Sequence, residues 1–203
     1  MNSDYKHIAI FASGSGTNAD SIMTHFAEHS FAKVGLIVCN NPSAGVIERA
    51  KKFGVPVFMI TNSDLNSPKR LMEELEKFDI HFIALAGFMK LIPDEIVRKY
   101  HHRILNIHPA LLPDFGGKGM YGMRVHEAVK AADADESGVT IHFVNEHYDE
   151  GNIFFQAKCA VNPEDTPDDI SARVRKLELH HFPKVLDHLI EQTLEIEPTI
   201  KTQ

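Results

Sequence analysis

The sequence predicts an α/β fold: a three-layer sandwich in which helices cover both faces of a mostly parallel, Rossmann-like sheet. The first five apolar runs of strand length alternate with stretches of helical periodicity, which is typical of parallel strands joined by helical crossovers. The fourth run, residues 80–86, shows little polar alternation, as expected for a strand covered on both faces. Two later runs, separated by the turn-rich segment "EHYDEGN", predict an antiparallel strand pair toward the C-terminal end.

The strands are predicted from apolar runs bounded by polar or glycine-containing turns. Sites in such folds lie at the carboxyl ends of the parallel strands, so the turns after the first and fifth strands are where we expect functional residues. In chain order the strands are expected at residues 7–13, 33–39, 55–60, 80–86, 103–109, 138–145 and 153–161.

The helices are predicted from apolar spacing and from capping residues. Apolar side chains at i, i+3, i+4 and i+7 from Ala19 to Phe26 mark the first helix, and Gly54 ends the second. Ser67 and Pro68 are typical of the N-cap and first position of a third. The helices after the first are expected at residues 45–53, from residue 67, from residue 93, at residues 125–132, and from residue 167 to about residue 192, with a kink at residue 183.

Length and composition indicate one ordinary globular domain. The chain has 203 residues, of which 43% are hydrophobic and 24% charged. We therefore expect a single domain over residues 1–203, with a flexible polar tail at residues 193–203. A formal net charge of -7 argues against a nucleic-acid-binding protein and leaves room for a small anionic substrate in a locally positive site. Oligomeric state does not follow from the sequence.

The expected location is the cytoplasm, without membrane contact. No stretch approaches the roughly 18 apolar residues of a membrane span, and the N-terminal segment lacks a signal-peptide pattern. Cys39 and Cys159 lie in apolar runs, as buried thiols of a reducing compartment do.

A glycine-rich turn, "ASGSGTNAD", joins the first strand to the first helix. Gly14 and Gly16 allow the backbone to approach a ligand, and the helix that follows directs its N–H groups and positive dipole end to the same place. This is chemistry for a phosphate, although a plain tight turn is the alternative. A dinucleotide is disfavoured, because that fingerprint needs an acidic residue about 20 positions on, where the second strand ends in Asn40 and Asn41.

A second set of polar residues follows the fifth strand. Asn106 and His108 are two residues apart, so their side chains leave the same face of the strand and are able to donate hydrogen bonds to a developing oxyanion. Asp149, in the turn before Gly151, and His142, in the preceding strand, are further candidates. Each has a structural alternative, since aspartate is common in turns and a histidine in a strand is often a core residue.

The sequence resembles the monofunctional glycinamide ribonucleotide transformylases, a branch of the folate-dependent formyltransferases. The segment "NIHPALLP" with a downstream Asp-x-Gly is typical of that larger family, and "SGSGTN" at the first turn is typical of the ribonucleotide-using branch. The matching segments keep the family's order over nearly the whole chain: "SGSGTN", "LAGFMKLI", "LNIHPALLP", "GVTIHFV", "YDEGNIFFQ" and "DISARVRKLELHHFP".

The resemblance implies formyl transfer from 10-formyltetrahydrofolate, as co-substrate, to the amine of 5'-phosphoribosylglycinamide in purine biosynthesis. It implies small-molecule partners, with no nucleic acid, no membrane and no metal. The residues carried over are Asn106, His108 and Asp149 for catalysis, with His142 in support; Gly14, Ser15, Gly16, Thr17, Asn18 and Glu178 for the ribonucleotide; and Met89, Lys90, Leu91, Ile92, Val144, Glu146 and Glu150 for the folate.

This chain departs from the family pattern at two places. Position 90 is lysine where many relatives carry arginine, and the loop "DFGGKGMYGMRVHEAV" is longer than in some members and holds Lys118, which is able to reach an anionic ligand.

The implied reaction is direct attack of the amine on the formyl carbon through an oxyanion. Asn106 and His108 are expected to stabilise the oxyanion. Asp149 is expected to hold a charged His108 by raising its pKa and to take protons from the amine. Absence of His-Glu-x-x-His and Cys-x-x-Cys motifs argues against a metal.

The sequence alone leaves four other functions as alternatives. A formyltetrahydrofolate hydrolase or a methionyl-tRNA formyltransferase shares the catalytic residues, but each carries an added domain. A non-catalytic sugar-phosphate-binding module is disfavoured by the intact polar set, and a nicotinamide dehydrogenase by Asn40 and Asn41.

Overall fold

The computed structural model describes the backbone of residues 5–200 and the side chains of residues 5–195. Seven strands form one sheet in the order β3-β2-β1-β4-β5-β6-β7. The strands are β1 (Lys6–Ala12), β2 (Ala32–Cys39), β3 (Val57–Met59), β4 (Ile80–Leu85), β5 (Ile104–His108), β6 (Glu136–Phe143) and β7 (Ile153–Ala160). The helices are α1 (Thr17–His25), α2 (Val46–Lys52), α3 (Asn62–Asn66), α4 (Lys69–Lys77), α5 (Asp94–Lys99), α6 (Met123–Ala131) and α7 (Pro167–Ile200).

The sheet is parallel from β3 to β5, and β6 runs antiparallel to both of its neighbours. The predicted fold class and the predicted antiparallel pair are therefore confirmed. The chain first moves outward from β1 to β2 and β3, and then returns to place β4 on the other side of β1. This reversal of strand order opens a crevice at the carboxyl ends of β1 and β4, where ligands bind in doubly wound folds.

The two faces of the sheet carry separate apolar clusters. Successive residues of β1 point to opposite faces: Ile8 and Ile10 pack with α1, α2, α6 and α7, whereas Ala9 and Phe11 pack with α4 and α5. Ile83, in the middle of β4, is fully buried. The low polar alternation of the fourth predicted strand has this cause, because both of its faces are covered.

The structure adds one helix that the sequence interpretation missed. Residues 62–66 form α3, and Asp64 accepts the backbone N–H of Thr61 at 2.7 Å in a capping box. Ser67 is consequently the C-cap of α3, and Pro68 is the N-cap of α4, so the predicted N-cap at Ser67 was wrong. The signal was present, since a threonine followed three residues later by an acidic residue is typical of a helix start.

Two element boundaries also differ from prediction. β3 covers residues 57–59 of the predicted 55–60, because Pro56 has no N–H to donate to a ladder. α7 continues through Pro183 and past the predicted end near residue 192 to Ile200. No glycine interrupts that segment, and Thr193 Oγ1 bonds the carbonyl oxygen of Leu189 one turn earlier at 2.9 Å. The predicted flexibility of residues 193–203 stays a prediction, and residues 201–203 lie outside the described part.

In the described part of the chain, no helix combines the length and apolar character that crossing a membrane requires.

Candidate active site

A cavity of about 580 Å³ opens at the carboxyl ends of β1, β4 and β5. The base of the cavity is the crevice between the carboxyl ends of β1 and β4, where the strand order reverses. Its walls come from the turn after β1, residues 85–92 after β4, the end of β5, the loop before α6, the turn between β6 and β7, and one face of α7. The first and fifth strand turns, which the sequence singled out separately, therefore border one space.

Asn106, His142 and Asp149 form a hydrogen-bonded set at the base of the cavity. Asn106 on β5 lies directly opposite His142 on β6, and its Nδ2 lies 3.0 Å from His142 Nε2. The same Nδ2 donates to Asp149 Oδ1 at 3.2 Å. His142 Nδ1 lies 2.8 Å from the carbonyl oxygen of Phe143, which accepts hydrogen bonds and has no proton to donate, so the ring proton is on Nδ1. His142 Nε2 is therefore the acceptor for Asn106, and both N–H groups of that amide are already donated.

His108 is held from two sides. Its Nε2 donates to the carbonyl oxygen of Phe115 at 2.8 Å, and its Nδ1 lies 3.5 Å from Asp149 Oδ2. Asp149 Oδ2 also accepts the backbone N–H of Gly117 at 3.0 Å. The loop that follows β5 thus covers the imidazole and is tied to the same carboxylate.

Gly151 allows Asp149 to reach this set. Asp149 has a positive φ of 58° in the turn after β6. A Cβ at Gly151 would lie 1.6 Å from the carbonyl oxygen of Phe143, so no side chain fits there. The Asp-x-Gly pattern is therefore a requirement for close backbone approach beside the carboxylate.

Burial and charge set the ionisation of the two central groups. Burial lowers the pKa of His108, and the nearby Asp149 carboxylate only partly opposes that shift. Burial raises the pKa of Asp149, but the neighbouring His142 and His108 imidazoles and the Gly117 N–H outweigh it and give a net lowering. Asp149 therefore raises the pKa of His108, as expected, but burial has the larger effect and the net shift is downward.

The turn after β1 presents backbone donors to the cavity. Among the described residues, the amides of Ser15, Gly16, Thr17 and Asn18 donate no backbone hydrogen bond. A Cβ at Gly14 would meet nothing within 4 Å, whereas one at Gly16 would lie 2.7 Å from Val46, and Gly16 has a φ of 75°. Gly14 thus opens space toward the cavity, while Gly16 is required by packing against α2.

Asn40 and Asn41 fix the turn instead of binding a ribose. Ser13 Oγ donates to Asn40 Oδ1 at 2.7 Å, and Asn41 Nδ2 donates to the carbonyl oxygen of Ser13 at 3.1 Å. Their positions at the end of β2 therefore have a structural explanation.

Glu178 on α7 lines the cavity next to the start of α1. Asn18 Nδ2 donates to Glu178 Oε2 at 3.2 Å, joining α1 to α7. Burial raises the pKa of Glu178, while the Asn18 hydrogen bond and the Arg175 guanidinium oppose the shift. Arg175 was missed from the sequence. Its signal was helical spacing, because Ser171, Val174, Arg175 and Glu178 lie on one face of α7 and all line the cavity.

The residues expected to hold the folate are divided by the structure. Met89, Lys90, Leu91, Ile92 and Val144 line the cavity, and Met89 and Leu91 are 49% and 39% exposed there. Glu146 and Glu150 are exposed in the turn after β6 and lie off the cavity wall, where His147 and Tyr148 stand instead. The alternation of side chains along a strand does not extend into a turn. The sequence therefore could not show which residues of this turn face the cavity and which face solvent.

The loop before α6 adds Lys118 and Tyr121 to the wall, and the start of α6 adds Arg124. His126, on the first turns of α6, is also on the wall and is 4% exposed. Burial lowers its pKa, and the neighbouring His108 and Arg175 add to that shift. A single histidine on an otherwise apolar helix face gave no sequence signal.

Comparisons with known proteins identify the family of this chain. Residues 6–186 match the family described as formyl transferase. The "Phosphoribosylglycinamide formyltransferase, chloroplastic" of Arabidopsis thaliana is 42% identical over 94% of this chain and 67% of that protein. A second plant relative, from Vigna unguiculata, is 41% identical over 93% of this chain and 62% of its own length, so the chain spans about two thirds of these plant proteins.

Shorter relatives match nearly end to end. The phosphoribosylglycinamide formyltransferase of Bacillus subtilis is 37% identical over 91% of this chain and 95% of its own length. The crystal structure of the enzyme of that name from Bacillus halodurans superposes with a TM-score of 0.82 at 34% identity, covering 93% of this chain and 97% of the other.

Proposed function

The chain belongs to the formyl transferase family, and from that premise we propose that it transfers the formyl group of 10-formyltetrahydrofolate to the amine of 5'-phosphoribosylglycinamide. The reaction is a step of purine biosynthesis. The folate is a co-substrate, and the family's chemistry implies no metal. Both substrates are small molecules.

The observation that supports this function best is that one cavity contains both the turn after β1 and the polar set, which consists of Asn106, His108, His142 and Asp149. A phosphate on the amides of residues 15–18 directs the rest of a ribonucleotide along α1 and α7 toward Asn106 and His108. The exposed apolar side chains of Met89 and Leu91, on the opposite wall, suit the ring system of a folate. The two substrates then meet at the polar set.

The amine nitrogen attacks the formyl carbon, and the carbonyl electron pair moves to the formyl oxygen. That oxygen needs N–H donors. In this structure His108 Nε2 donates to Phe115 and Asn106 Nδ2 to His142 and Asp149, so the incoming oxygen replaces one of these acceptors on each residue. Replacing the Phe115 carbonyl requires a shift of the loop rather than of the imidazole, which is 3% exposed and fixed by packing.

Asp149 is the proton acceptor for the attacking amine, directly or through water. Its lowered pKa keeps it ionised at neutral pH, and both of its oxygens face the polar set. When the tetrahedral intermediate collapses, the carbon–nitrogen bond to the folate breaks and the electron pair goes to the folate nitrogen. That nitrogen gains a proton, which balances the one lost by the amine.

A two-substrate absorbance assay of folate release tests the function. Release from 10-formyltetrahydrofolate that requires 5'-phosphoribosylglycinamide, with formation of the formylated ribonucleotide, is the expected result. Release without the ribonucleotide would indicate a hydrolase, and absence of release would favour a sugar-phosphate-binding module.

A cytoplasmic location is part of the proposal, supported by the two free cysteines, Cys39 and Cys159, which are typical of a reducing compartment.

A further inference from the structure

A second group of chemically active side chains lies away from the cavity, where α1 meets α7. His25 ends α1, His29 is in the turn that follows, and Asp187 is on α7. Asp187 Oδ2 and His25 Nε2 are hydrogen-bonded at 2.9 Å, and Asp187 Oδ1 lies 3.2 Å from His29 Nε2. One carboxylate thus stands between two imidazoles, and the proposed reaction uses none of the three.

The contact between Asp187 and His29 is not explained as a hydrogen bond. In the described part of the chain, Asp187 Oδ1 is buried and accepts no hydrogen bond, although an imidazole nitrogen is 3.2 Å away. A hydrogen bond requires the N–H to point at the oxygen. Two ligands of one metal ion point at the ion between them and not at each other, which gives this combination of short distance and poor alignment.

Ligand type and spacing fit a divalent transition metal. Two imidazoles and a carboxylate are common ligands of Zn²⁺. The three ligand atoms all lie within 4.8 Å of one another. Ligands about 2.1 Å from one tetrahedral ion are about 3.4 Å apart, so small side-chain rotations complete the arrangement.

Accessibility fits an ion that keeps one water. The side chains of His25, His29 and Asp187 are 29%, 16% and 19% exposed, so the cluster is partly buried but open on the His25 side. We propose that His25, His29 and Asp187 bind one Zn²⁺ ion that ties the end of α1 to α7. The ion is structural, because α1 places His25 about 12 Å from Thr17 at the ribonucleotide end of the same helix.

Another cluster of similar composition is a matched control. His7, Asp79 and His81 lie at the amino ends of the central strands β1 and β4. There the carboxylate side chain is 68% exposed, its oxygen is 3.8 Å from His7 Nδ1, and His81 Nδ1 already accepts the backbone N–H of His7. The longer distance and the more exposed carboxylate make this a poorer site, so we expect no tight binding.

The test is titration of chelator-treated, dialysed protein with Co²⁺, followed by visible absorbance, and with Zn²⁺, followed by calorimetry. Wild type is expected to bind one equivalent tightly. Asp187→Asn is expected to weaken that site by about 100-fold or more, since even changes behind a metal ligand cost 10–100-fold. Asp79→Asn, which also removes one carboxylate and keeps a residue suited to the positive φ of 50° at that position, is expected to leave it unchanged.

A thermal measurement and a second variant make the result independent of folding. Zn²⁺ at about 100 times its Kd is expected to raise the Tm of wild type by roughly 5 °C and that of Asp187→Asn by much less. His29→Gln, with formyl transfer measured as a check on folding, is expected to lose the site as well. Equal binding by wild type and both cluster variants, or a wild type with no tight equivalent, would overturn the proposal.

Discussion

The carbonyl oxygen of Phe115 accepts a hydrogen bond from His108 Nε2 at 2.8 Å. Because a carbonyl has no proton, this bond places one on Nε2 and leaves Nδ1 facing Asp149 at 3.5 Å. The loop therefore holds the ring in the tautomer with its proton on Nε2, and in the proposed mechanism the formyl oxygen takes the place of the Phe115 carbonyl oxygen. In that mechanism the carbonyl oxygen of Phe115 and the formyl oxygen of the substrate compete for the N–H of His108 Nε2.

Substitution of Asn106, His108 or Asp149 is expected to lower turnover with the fold preserved. Asn106→Ala and His108→Ala each remove a donor for the oxyanion and are expected to lower kcat by about 10²–10³. Asp149→Asn removes the proton acceptor and is expected to lower kcat at least as much. Steady-state assays with both substrates, with circular dichroism as a check on folding, measure the effect.

His101→Ala is the control for these variants. His101 is exposed in the turn before β5 and lies outside the cavity. Its substitution is expected to change kcat little. Near-normal turnover in all three polar-set variants would show that the proposed mechanism is wrong.

The pKa of His108 is expected to be below its ordinary value of about 6.5 and to fall further in Asp149→Asn. Burial lowers this pKa and the carboxylate raises it, so removal of the negative charge leaves the Phe115 hydrogen bond as the one remaining contact that opposes burial. Histidine NMR titration, with the His108 signal assigned by its loss in His108→Gln, measures the shift. Glu178→Gln should leave the signal in place, and a rise in the pKa on removing the Asp149 charge would contradict the assigned geometry.

The two glycines of the turn after β1 are expected to respond differently to alanine. Gly14→Ala adds a methyl group that meets nothing within 4 Å in the protein, so stability is kept while KM for the ribonucleotide rises. Gly16→Ala places its Cβ 2.7 Å from Val46 in a residue with positive φ, so stability is expected to fall by about 1–3 kcal/mol. Thermal unfolding and ribonucleotide KM, measured on both variants, separate the effects. An unchanged KM in Gly14→Ala would argue against a phosphate at this turn.

The sequence allowed much of this site to be predicted because its parts are local motifs. Asn106 and His108 share a strand face, and period-two alternation places them together whatever surrounds them. The net pKa direction of His108 was not accessible, because it depends on how completely the sheet and the Phe115 loop bury the ring. Nor was the role of Gly16, whose constraint is the distant Val46, or the cluster at Asp187, which lies 162 residues from His25 in sequence.

Glu178→Gln is expected to weaken ribonucleotide binding more than it lowers kcat. A glutamine oxygen still accepts the hydrogen bond from Asn18, which is 3.2 Å long in this structure, so the link between α1 and α7 remains. In the proposed complex, the substitution removes the negative charge of Glu178 and one acceptor for the two ribose hydroxyls. A hydrogen bond to a charged group contributes about 1.5–3 kcal/mol. KM for the ribonucleotide should therefore rise by about tenfold or more, while KM for the folate stays near its wild-type value. Asn18→Ala is the paired variant, because it breaks the helix-to-helix bond and leaves the carboxylate in place. An equal rise of both KM values in Glu178→Gln would place this residue in general packing and not in contact with the ribose.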